Sequence, residues 1–184
     1  LQTWIEPSSN HRIGVMMMNE IDPAELSIEA VDLWMNQWLL LTSGSSDDYN
    51  MMTVAWGSVG YMWEKPFAQV VVRPQRHTRG FMDRSETFTL CAFPEKYRAD
   101  LNIMGTISGS DGDKLGHTDF TIKPSKIVAP PSYNEANLIL ECQTIYRQDM
   151  DPDGFIDQKI HDIYEAKDYH RIYFGEILAA FHEK

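Results

Sequence analysis

Cysteine is scarce in this sequence, which has only Cys91 and Cys142 among 184 residues. Small secreted domains that depend on disulfides carry several cysteine pairs at regular spacing. Each cysteine here lies in an apolar run typical of a β-strand, Phe88–Phe93 for the first and Leu138–Cys142 for the second. Sequence alone does not reveal pairing, so a single disulfide stays open as an alternative. We expect two buried, reduced thiols and a cytoplasmic protein.

Long apolar runs and positive charge are also in short supply. The longest apolar stretches, such as Trp38–Leu41 and Val70–Val72, are far shorter than the roughly 20 residues of a membrane-spanning helix. The chain has 16 Lys and Arg against 27 Asp and Glu, which gives a net charge of −11 at pH 7. Such a chain repels DNA, RNA and anionic lipid headgroups. We therefore expect no nucleic acid and no membrane among its partners.

The local signatures of several enzyme classes are missing. The sequence has no Gly-x-Gly-x-x-Gly, P-loop, His-Glu-x-x-His or Gly-x-Ser-x-Gly motif, which argues against the commonest dinucleotide, nucleotide, zinc-protease and serine-hydrolase sites. Its six histidines are scattered, and no pair has ligand spacing on one helix face. Asp149–Gly154 imitates the start of an EF-hand loop, but Ile160 stands where the bidentate glutamate is needed. We expect no metal site.

The length of the chain predicts one principal domain, because 184 residues suffice for one buried core and are few for two. Residues 1–17 show no periodicity and do not form a signal peptide, and methionines at positions 16, 17 and 18 are candidates for the natural start. We expect residues 1–17 to be a poorly ordered extension or tag, and residues 18–184 to form the domain.

One helix is predicted to begin at Asp22, because Asp22, Pro23 and Glu25 supply an N-cap, a first-turn proline and an acid at N3. Apolar residues at helical spacing would form its inward face: Ile28, Val31, Trp34, Met35 and Trp38.

Beyond that helix, short β-rich runs alternate with turns. The loop at residues 44–48 reads as a hairpin, and short helices are expected at His77–Asp83 and near Glu95–Ile103. Because strands outnumber helices and do not alternate regularly with them, the pattern favours an antiparallel β-barrel with peripheral helices over a parallel doubly wound sheet. The six predicted strands are Leu39–Thr42, Met51–Trp56, Phe67–Arg73, Thr87–Phe93, Leu138–Arg147 and Tyr169–Ile177.

Positive charge is concentrated in one segment of this acidic chain. Residues 65–84 contain one acid, Asp83, and five cations: Lys65, Arg73, Arg76, Arg79 and Arg84. A guanidinium group suits a phosphate, and Thr78 adds a hydroxyl where a strand ends and a helix is predicted to begin. The alternative is that these arginines are solvated and pair with surface acids, and the segment alone favours neither interpretation. Residues 105–114, rich in glycine and hydroxyls, are a second candidate phosphate loop, although many exposed loops have this composition.

Seven segments, taken in order, resemble the flavin reductase-like, or flavoredoxin-type, family of FMN-binding split barrels. They cover about residues 20 to 178, and their order and spacing carry the likeness more than any single segment does. The resemblance implies a mainly β fold with peripheral helices, an antiparallel split β-barrel that binds FMN. The segments are Tyr49–Gly57, Trp63–Pro66, Val72–Thr78, Phe88–Leu90, Gly105–Gly109, Tyr146–Asp149 and Asp168–Glu176.

The resemblance also implies where the cofactor would bind. The strand Asn50–Trp56 would face the isoalloxazine ring, the segment that ends at Thr78 would hold the phosphate, and the glycine-rich loop would contribute further contacts. His170 resembles a histidine that lies near the nicotinamide in related flavin reductases, and it is the expected catalytic residue. The expected cofactor-binding residues are Asn50, Met52, Thr53, Val54, Ala55, Trp56, Arg73, Arg76, His77, Thr78, Ser108 and Lys114.

For function, the resemblance implies an oxidoreductase in which FMN takes a hydride from NAD(P)H, a transient co-substrate, and passes electrons to a small acceptor such as free flavin or a ferric complex. The alternative is a non-enzymatic flavin-binding or electron-carrier protein reduced by a protein partner. His77 stands where many relatives have a tyrosine, and Ser110 where many have an arginine, which leaves the choice of NADH or NADPH open. The resemblance further implies a homodimer with the flavin near its seam.

Overall fold

The β-rich runs that begin at Leu39 all form strands in the computed structural model, which describes residues 18–183. The expected extension or tag at residues 1–17 lies outside the described residues. In this range the principal sheet has eight strands, and a small ribbon has two. The strands of the principal sheet are β1 Met18–Ile21, β2 Leu39–Gly44, β3 Tyr49–Val54, β4 Gly57–Met62, β5 Lys65–Val72, β6 Thr87–Ala92, β9 Leu138–Asp149 and β10 Arg171–Glu183, and the ribbon pairs β7 Ile122–Lys123 with β8 Ser132–Tyr133.

Antiparallel pairing orders the principal sheet as β3-β2-β6-β9-β10-β5-β4, with β1 added alongside β10. The predicted antiparallel β fold with peripheral helices is confirmed. Strand β4 was not predicted, because Gly57, Ser58 and Gly60 give it little β character, yet it pairs with β5 from Gly57–Val70 to Met62–Lys65. The first and last strands of the sheet are consecutive in the chain, so Ala55 and Trp56 link its two edges.

The strands β2 and β6 are buried on both faces, and this divides the core into two clusters. Leu39 and Leu41 point into one cluster with Val70, and Leu40 points into the other. The second cluster is closed by α3, Arg98–Thr106, through Leu101 and Met104. A strand that buries successive residues on opposite faces needs a layer on each side, and here the barrel interior and a helix supply them.

The predicted first helix is wrong beyond its first turn. Asp22 accepts a hydrogen bond from the Ala24 N–H as an N-cap should, but the 3₁₀ turn ends at Glu25, and regular helix resumes only as α1, Ala30–Asp32, followed by a wide π-turn over Leu33–Gln37. As a result the expected apolar stripe is split. Trp34 is buried, whereas Val31 and Met35 are 77% and 71% exposed.

The other local predictions hold. Gly44 pairs with Tyr49 to close the hairpin, α2 spans His77–Arg84, and a 3₁₀ turn at Glu95–Tyr97 leads into α3. The EF-hand-like segment serves the fold: Asp149 forms ion pairs with Arg79 and Arg171, and Asp151 caps the turn Pro152–Gly154. Within the described range the longest α-helix has nine residues, and no helix is both long and apolar enough to span a bilayer.

Both cysteines are free and fully buried, as predicted. Burial raises the pKa of the Cys91 thiol to about 12 and raises that of Cys142 as well, because an apolar interior disfavours the thiolate. Neither thiol is therefore available as a nucleophile in the folded state.

We predict that Cys91→Ser and Cys142→Ser, made separately, each lower the free energy of unfolding by about 1 to 3 kcal/mol, because each places a more polar hydroxyl in an apolar site. Urea unfolding measures this. Thiol reagent added to the folded wild-type protein should react only as fast as the protein unfolds. Labelling of either cysteine at the rate of an exposed thiol would contradict the assignment.

Candidate cofactor site

Two clefts lie side by side along the edge strand β3, and Met52 lines both of them. Together they include all thirteen residues that the sequence predicted for the site. The first, here called the cationic cleft, is lined by Asn50, Met52, Gln75, Arg76, His77, Thr78, Thr106, Ile107, Ser108, Gly109 and Lys114. The second, here called the strand-end cleft, is lined by Met52, Thr53, Val54, Ala55, Trp56, Val71, Arg73 and His170.

The floor of the cationic cleft is the start of α2. Strand β5 ends at Val72, a turn closes with the Arg76 N–H bonded to the Arg73 carbonyl at 3.1 Å, and the helix begins at His77. Thr78 is 1% exposed, and its Oγ1 accepts a hydrogen bond of 2.7 Å from Asn50 Nδ2 on β3. Because that oxygen already accepts, the hydroxyl proton of Thr78 remains available for an anion.

The glycine-rich loop closes the cleft by approaching β3 directly. A Cβ at Gly109 would lie 1.9 Å from Asn50 Oδ1, so only glycine allows the loop this close to β3. On the same loop, Ser108 Oγ and Ser110 Oγ lie 2.8 Å apart and are hydrogen-bonded. The loop thus lays backbone and hydroxyl groups next to the start of α2.

The pairing of the five cations decides between the two interpretations of their segment. Four of them have carboxylate partners: Lys65 with Glu176 at 2.5 Å, Arg73 with Asp168 at 2.7 Å, Arg79 with Asp149 at 3.0 Å and Arg84 with Asp48 at 2.9 Å. Arg76 is the exception, and among residues 18–183 its guanidinium has one protein acceptor, the Gly105 carbonyl at 2.7 Å. The surface-pairing interpretation describes four of these residues, whereas the charge of Arg76 has no carboxylate partner among the described residues and its remaining donors face the cleft.

Lys114 contributes positive charge to the cationic cleft, but its ammonium donates its hydrogen bonds to backbone carbonyls of the protein. Its side chain is buried, and Nζ donates to the carbonyls of Met51, Met104 at 3.3 Å and Ile107 at 3.5 Å. Burial, and then the neighbouring charge of Arg76, lower the pKa of Lys114 to about 8. The ammonium therefore ties the glycine-rich loop to β3, and its positive charge raises the potential of the cleft.

The strand-end cleft holds a buried histidine beside an exposed tryptophan. The ring centroid of His170 lies 5.3 Å from that of Trp56, and its Nδ1 lies 2.7 Å from the hydroxyl of Tyr164, which is also buried. Burial, together with the charge of Arg73, lowers the pKa of His170 to about 4. The imidazole is therefore neutral at physiological pH, with one nitrogen already engaged by Tyr164.

Arg73 lies apart from the position that the sequence implied. It was expected beside Arg76 and Thr78, but it lines the strand-end cleft, where it donates to Asp168 and, at 3.1 Å, to the Ile163 carbonyl. Its guanidinium carbon also lies 5.1 Å from the ring centroid of Tyr164. Arg73 thus holds the wall that carries His170.

Sequence reasoning missed Gln75 and Tyr164, which line a cleft or support this wall. Gln75 lines the cationic cleft, and its Nε2 donates to the same Asp168 oxygen as Arg73, at 2.5 Å. Tyr164 belongs to a group of aromatic rings with Phe155 and Tyr169. The density of aromatics in residues 155–170 was the available signal, but contacts over about 90 residues of chain are invisible in local patterns.

Comparison with known proteins assigns the chain to a family. Residues 35–184 match the model of the flavin reductase like domain, so this chain belongs to the flavin reductase-like family. A relative from Pyrococcus abyssi, itself uncharacterized, is 27% identical over 142 residues, which cover 76% of this chain and 70% of the relative.

Solved structures agree on the fold. A flavoredoxin from Methanosarcina acetivorans matches with a TM-score of 0.64 and 20% identity over 80% of this chain and 69% of the other. An FMN-binding domain of a flavin reductases-like enzyme from Shewanella baltica matches with a TM-score of 0.66 and 17% identity over 91% and 78% of the two chains. An NADH:FAD oxidoreductase from Streptomyces globisporus matches with a TM-score of 0.60 and 15% identity over 78% of this chain and 73% of the other. The split-barrel fold is thus confirmed.

The residues present fit the FMN of this family. A mononucleotide needs an anion site next to a flat, partly apolar wall, and the cationic cleft supplies Arg76, Thr78 and the start of a helix for the anion. The strand-end cleft supplies the backbone of residues 52–55 and the side chain of Trp56 for an aromatic ring. Met52 joins the two, as one ligand with a phosphate at one end and a ring at the other requires.

We predict that Arg76→Ala weakens FMN binding by about 1.5 to 3 kcal/mol, or roughly 10- to 150-fold, because it removes a charge-assisted hydrogen bond to the phosphate. Riboflavin lacks the phosphate, and its affinity should change little. Both are measured by titrating apoprotein and following flavin fluorescence. Arg84→Ala is the matched control, since Arg84 lies at the far end of α2, the helix that Arg76 precedes, and pairs with Asp48. Equal losses of FMN affinity in the two variants would show that Arg76 does not bind the phosphate and is an ordinary surface charge.

A second prediction concerns pH. Below pH 8 the free protein already carries a protonated Lys114, whereas above this pKa the lysine must take up a proton when the phosphate binds. FMN affinity should therefore be constant between about pH 7 and 8, where the phosphate is a dianion, and fall by up to tenfold per pH unit above pH 8. Riboflavin titrated over the same range serves as the control and should show no such decline. A flat FMN profile to pH 9.5, or the same slope for riboflavin, would contradict the role of Lys114.

Proposed function

We propose that this chain is an FMN-dependent oxidoreductase that passes electrons from NADH or NADPH through its flavin to a small acceptor. The observation that carries the proposal is the placement of Arg76, a cation without a carboxylate partner in the described chain, in a cleft that Met52 joins to a second cleft with a buried neutral histidine. The alternative function, a flavin-binding electron carrier reduced by a protein partner, shares this cofactor site and differs in its reductant.

Arg76 and Thr78 would hold the phosphate, with Ser108 and the helix start beside them and the charge of Lys114 behind. The backbone of Met52, Thr53, Val54 and Ala55 would lie against the ring. When bound, FMN supplies hydride uptake and electron release, chemistry that no amino-acid side chain performs. The protein has to orient the ring, keep water away from one side and leave the other side accessible.

His170 and Trp56 border the accessible side of the strand-end cleft. Trp56 is 48% exposed, so a ring from solvent has an aromatic surface to contact. The neutral imidazole of His170 is held by Tyr164 and offers its second nitrogen as a hydrogen-bonding group without adding charge. This pair suits the orientation of a nicotinamide amide over the ring cleft. The NADH:FAD oxidoreductase with the same fold supports a nicotinamide reductant.

The proposal extends to assembly and compartment. We propose a cytoplasmic homodimer, because both thiols are free and because one outer face of the sheet carries aromatic rings that a monomer leaves in water. Trp63 and Tyr146 are 53% and 42% exposed, and Trp63 contacts Phe174 and Tyr146 at 5.8 and 6.0 Å between ring centroids. We call Trp63, Tyr146 and Phe174 the aromatic patch. A twofold axis through such a patch would pair it with itself.

Anaerobic mixing of the FMN-loaded protein with NADH or NADPH tests the function. The yellow flavin absorbance should bleach in a reaction that saturates with nicotinamide concentration. Because the pKa of His170 is about 4, the rate should not change through titration of this residue between about pH 5.5 and 8, and a step should appear only as pH falls toward 4. Protein that dithionite reduces and neither nicotinamide reduces would favour the electron carrier.

Tyr164→Phe tests the role of His170, and Tyr169→Phe is its matched control. Loss of the Tyr164 hydroxyl frees the imidazole to rotate, so flavin reduction should slow by about 10- to 100-fold while FMN affinity stays unchanged. Tyr169→Phe, which removes a hydroxyl bonded instead to His161, should leave the rate unchanged. A rate that titrates near pH 6.5 in wild type, or equal effects of the two variants, would contradict the assignment.

The dimer is tested by Trp63→Asn. Trp63 and Glu64 form a two-residue turn with φ of +54° and +59°, a conformation in which asparagine is favoured, so this change keeps the hairpin and removes the ring. Wild-type protein should sediment as a dimer of the 21.2 kDa chain, and the variant as a monomer. Ile156→Asn, at a position that is 96% exposed and outside the patch, is the control. A monomeric wild type loaded with FMN would overturn the proposal.

A further inference from the structure

An apolar groove lies beside the cofactor clefts, and of its lining residues only Ala55 and Trp56 belong to those clefts. Val31, Trp34, Met35 and Trp38 form one wall, and Ala55 and Trp56 form part of the other. Its volume of about 790 Å³ falls in the range of small-molecule sites.

The groove is continuous with the strand-end cleft, because Ala55 and Trp56 line both. A molecule in the groove would therefore lie against the same tryptophan that packs on His170. The shared residues place a molecule in the groove at short range from the ring cleft, which favours electron transfer to it.

The groove also has an unusual surface for this chain. Its lining contains no charged side chain, although the chain has 43 charged residues of Lys, Arg, Asp and Glu. Val31 and Met35 remain 77% and 71% exposed there, and three tryptophans supply flat apolar faces. A surface of this kind binds uncharged aromatic molecules, and the net charge of −11 disfavours anionic acceptors such as ferric chelates.

Local backbone structure presents these side chains. The π-turn over Leu33–Gln37 closes with the Trp38 N–H bonded to the Leu33 carbonyl at 2.9 Å, and Trp38 adopts a φ of +62°. A left-handed tryptophan is costly and persists only where its surroundings hold it. Arg98 does so, with its guanidinium carbon 4.1 Å from the centre of the Trp38 ring.

We infer that the groove binds an uncharged, planar aromatic acceptor of the quinone type. The inference rests on the proposed function, which supplies the reducing equivalents. A ligand in the groove lies next to the redox site, where a reducible molecule can accept electrons, and quinones do so without losing atoms. The balance is one quinone plus two electrons and two protons, drawn from the reduced cofactor and solvent, to one hydroquinone and the oxidised cofactor.

The first test follows reoxidation. FMN-loaded protein reduced by one equivalent of dithionite is mixed anaerobically with 1,4-naphthoquinone or with its 2-sulfonate, an anion of similar shape and greater oxidising strength. Reoxidation should saturate with the uncharged quinone at a concentration at least tenfold lower. Val31→Asp and Met35→Asp should each raise that half-saturating concentration by about tenfold or more, because they place a carboxylate in the groove. Ile127→Asp, 52% exposed and outside the groove, is the matched control and should change nothing.

The second test needs no flavin, so it separates this inference from the proposed function. N-phenyl-1-naphthylamine, an uncharged dye that brightens in apolar surroundings, should bind the apoprotein, be displaced by 1,4-naphthoquinone and bind more weakly to Met35→Asp than to Ile127→Asp. Equal saturation by the sulfonate and the uncharged quinone would overturn the inference. So would a fall in sedimentation mass in Val31→Asp or Met35→Asp, since the groove would then be covered by a second copy of the chain.

Discussion

The hydrogen bond from Asn50 to Thr78 is the contact on which the rest of the site depends. At 2.7 Å and buried, it joins the edge strand β3 to the start of α2, which follows β5, the strand next to the other edge in the sheet order. The glycine-rich loop then packs on Asn50 at Gly109, and Lys114 ties that loop to β3 through the Met51 carbonyl. A cleft for an anion forms because three separate segments converge on one amide side chain.

Ion pairing elsewhere leaves this cleft with its positive charge. Asp83 and Asp149 engage Arg79 and Arg171, and the Tyr173 hydroxyl donates to Asp83 at 2.6 Å. These exposed and half-exposed pairs contribute little stability each, but they fix the far end of α2 against β9 and β10. Arg76 lies at the other end of the helix, turned toward a carbonyl. Its remaining donors and the charge of Lys114 set a positive potential in a chain whose overall charge is strongly negative.

Much of the fold could be predicted from short apolar runs between turns, because strands buried on both faces leave such runs at Leu39–Leu41, Val70–Val72 and Phe88–Ala92. Strand β4 and the first helix could not, since glycine-rich pairing and a π-turn depend on tertiary packing. The candidate site residues were implied by the family resemblance, but the resemblance did not predict which of the two clefts each residue lines. Whether Arg73 or Arg76 is the free cation depends on Asp168, a partner far along the chain that local patterns do not connect to it.

The preference of the wild-type apoprotein for FMN over riboflavin tests the central claim most directly. The contacts of Arg76 and Thr78 with the phosphate would together contribute about 3 kcal/mol or more to FMN binding. Equilibrium titration should therefore give one FMN bound per chain, at least roughly 100-fold more tightly than riboflavin. The difference should shrink as salt is added, because the anion site is partly open to solvent. Equal affinity for the two flavins would mean that the cationic cleft does not bind the phosphate, and the account of this site would be wrong.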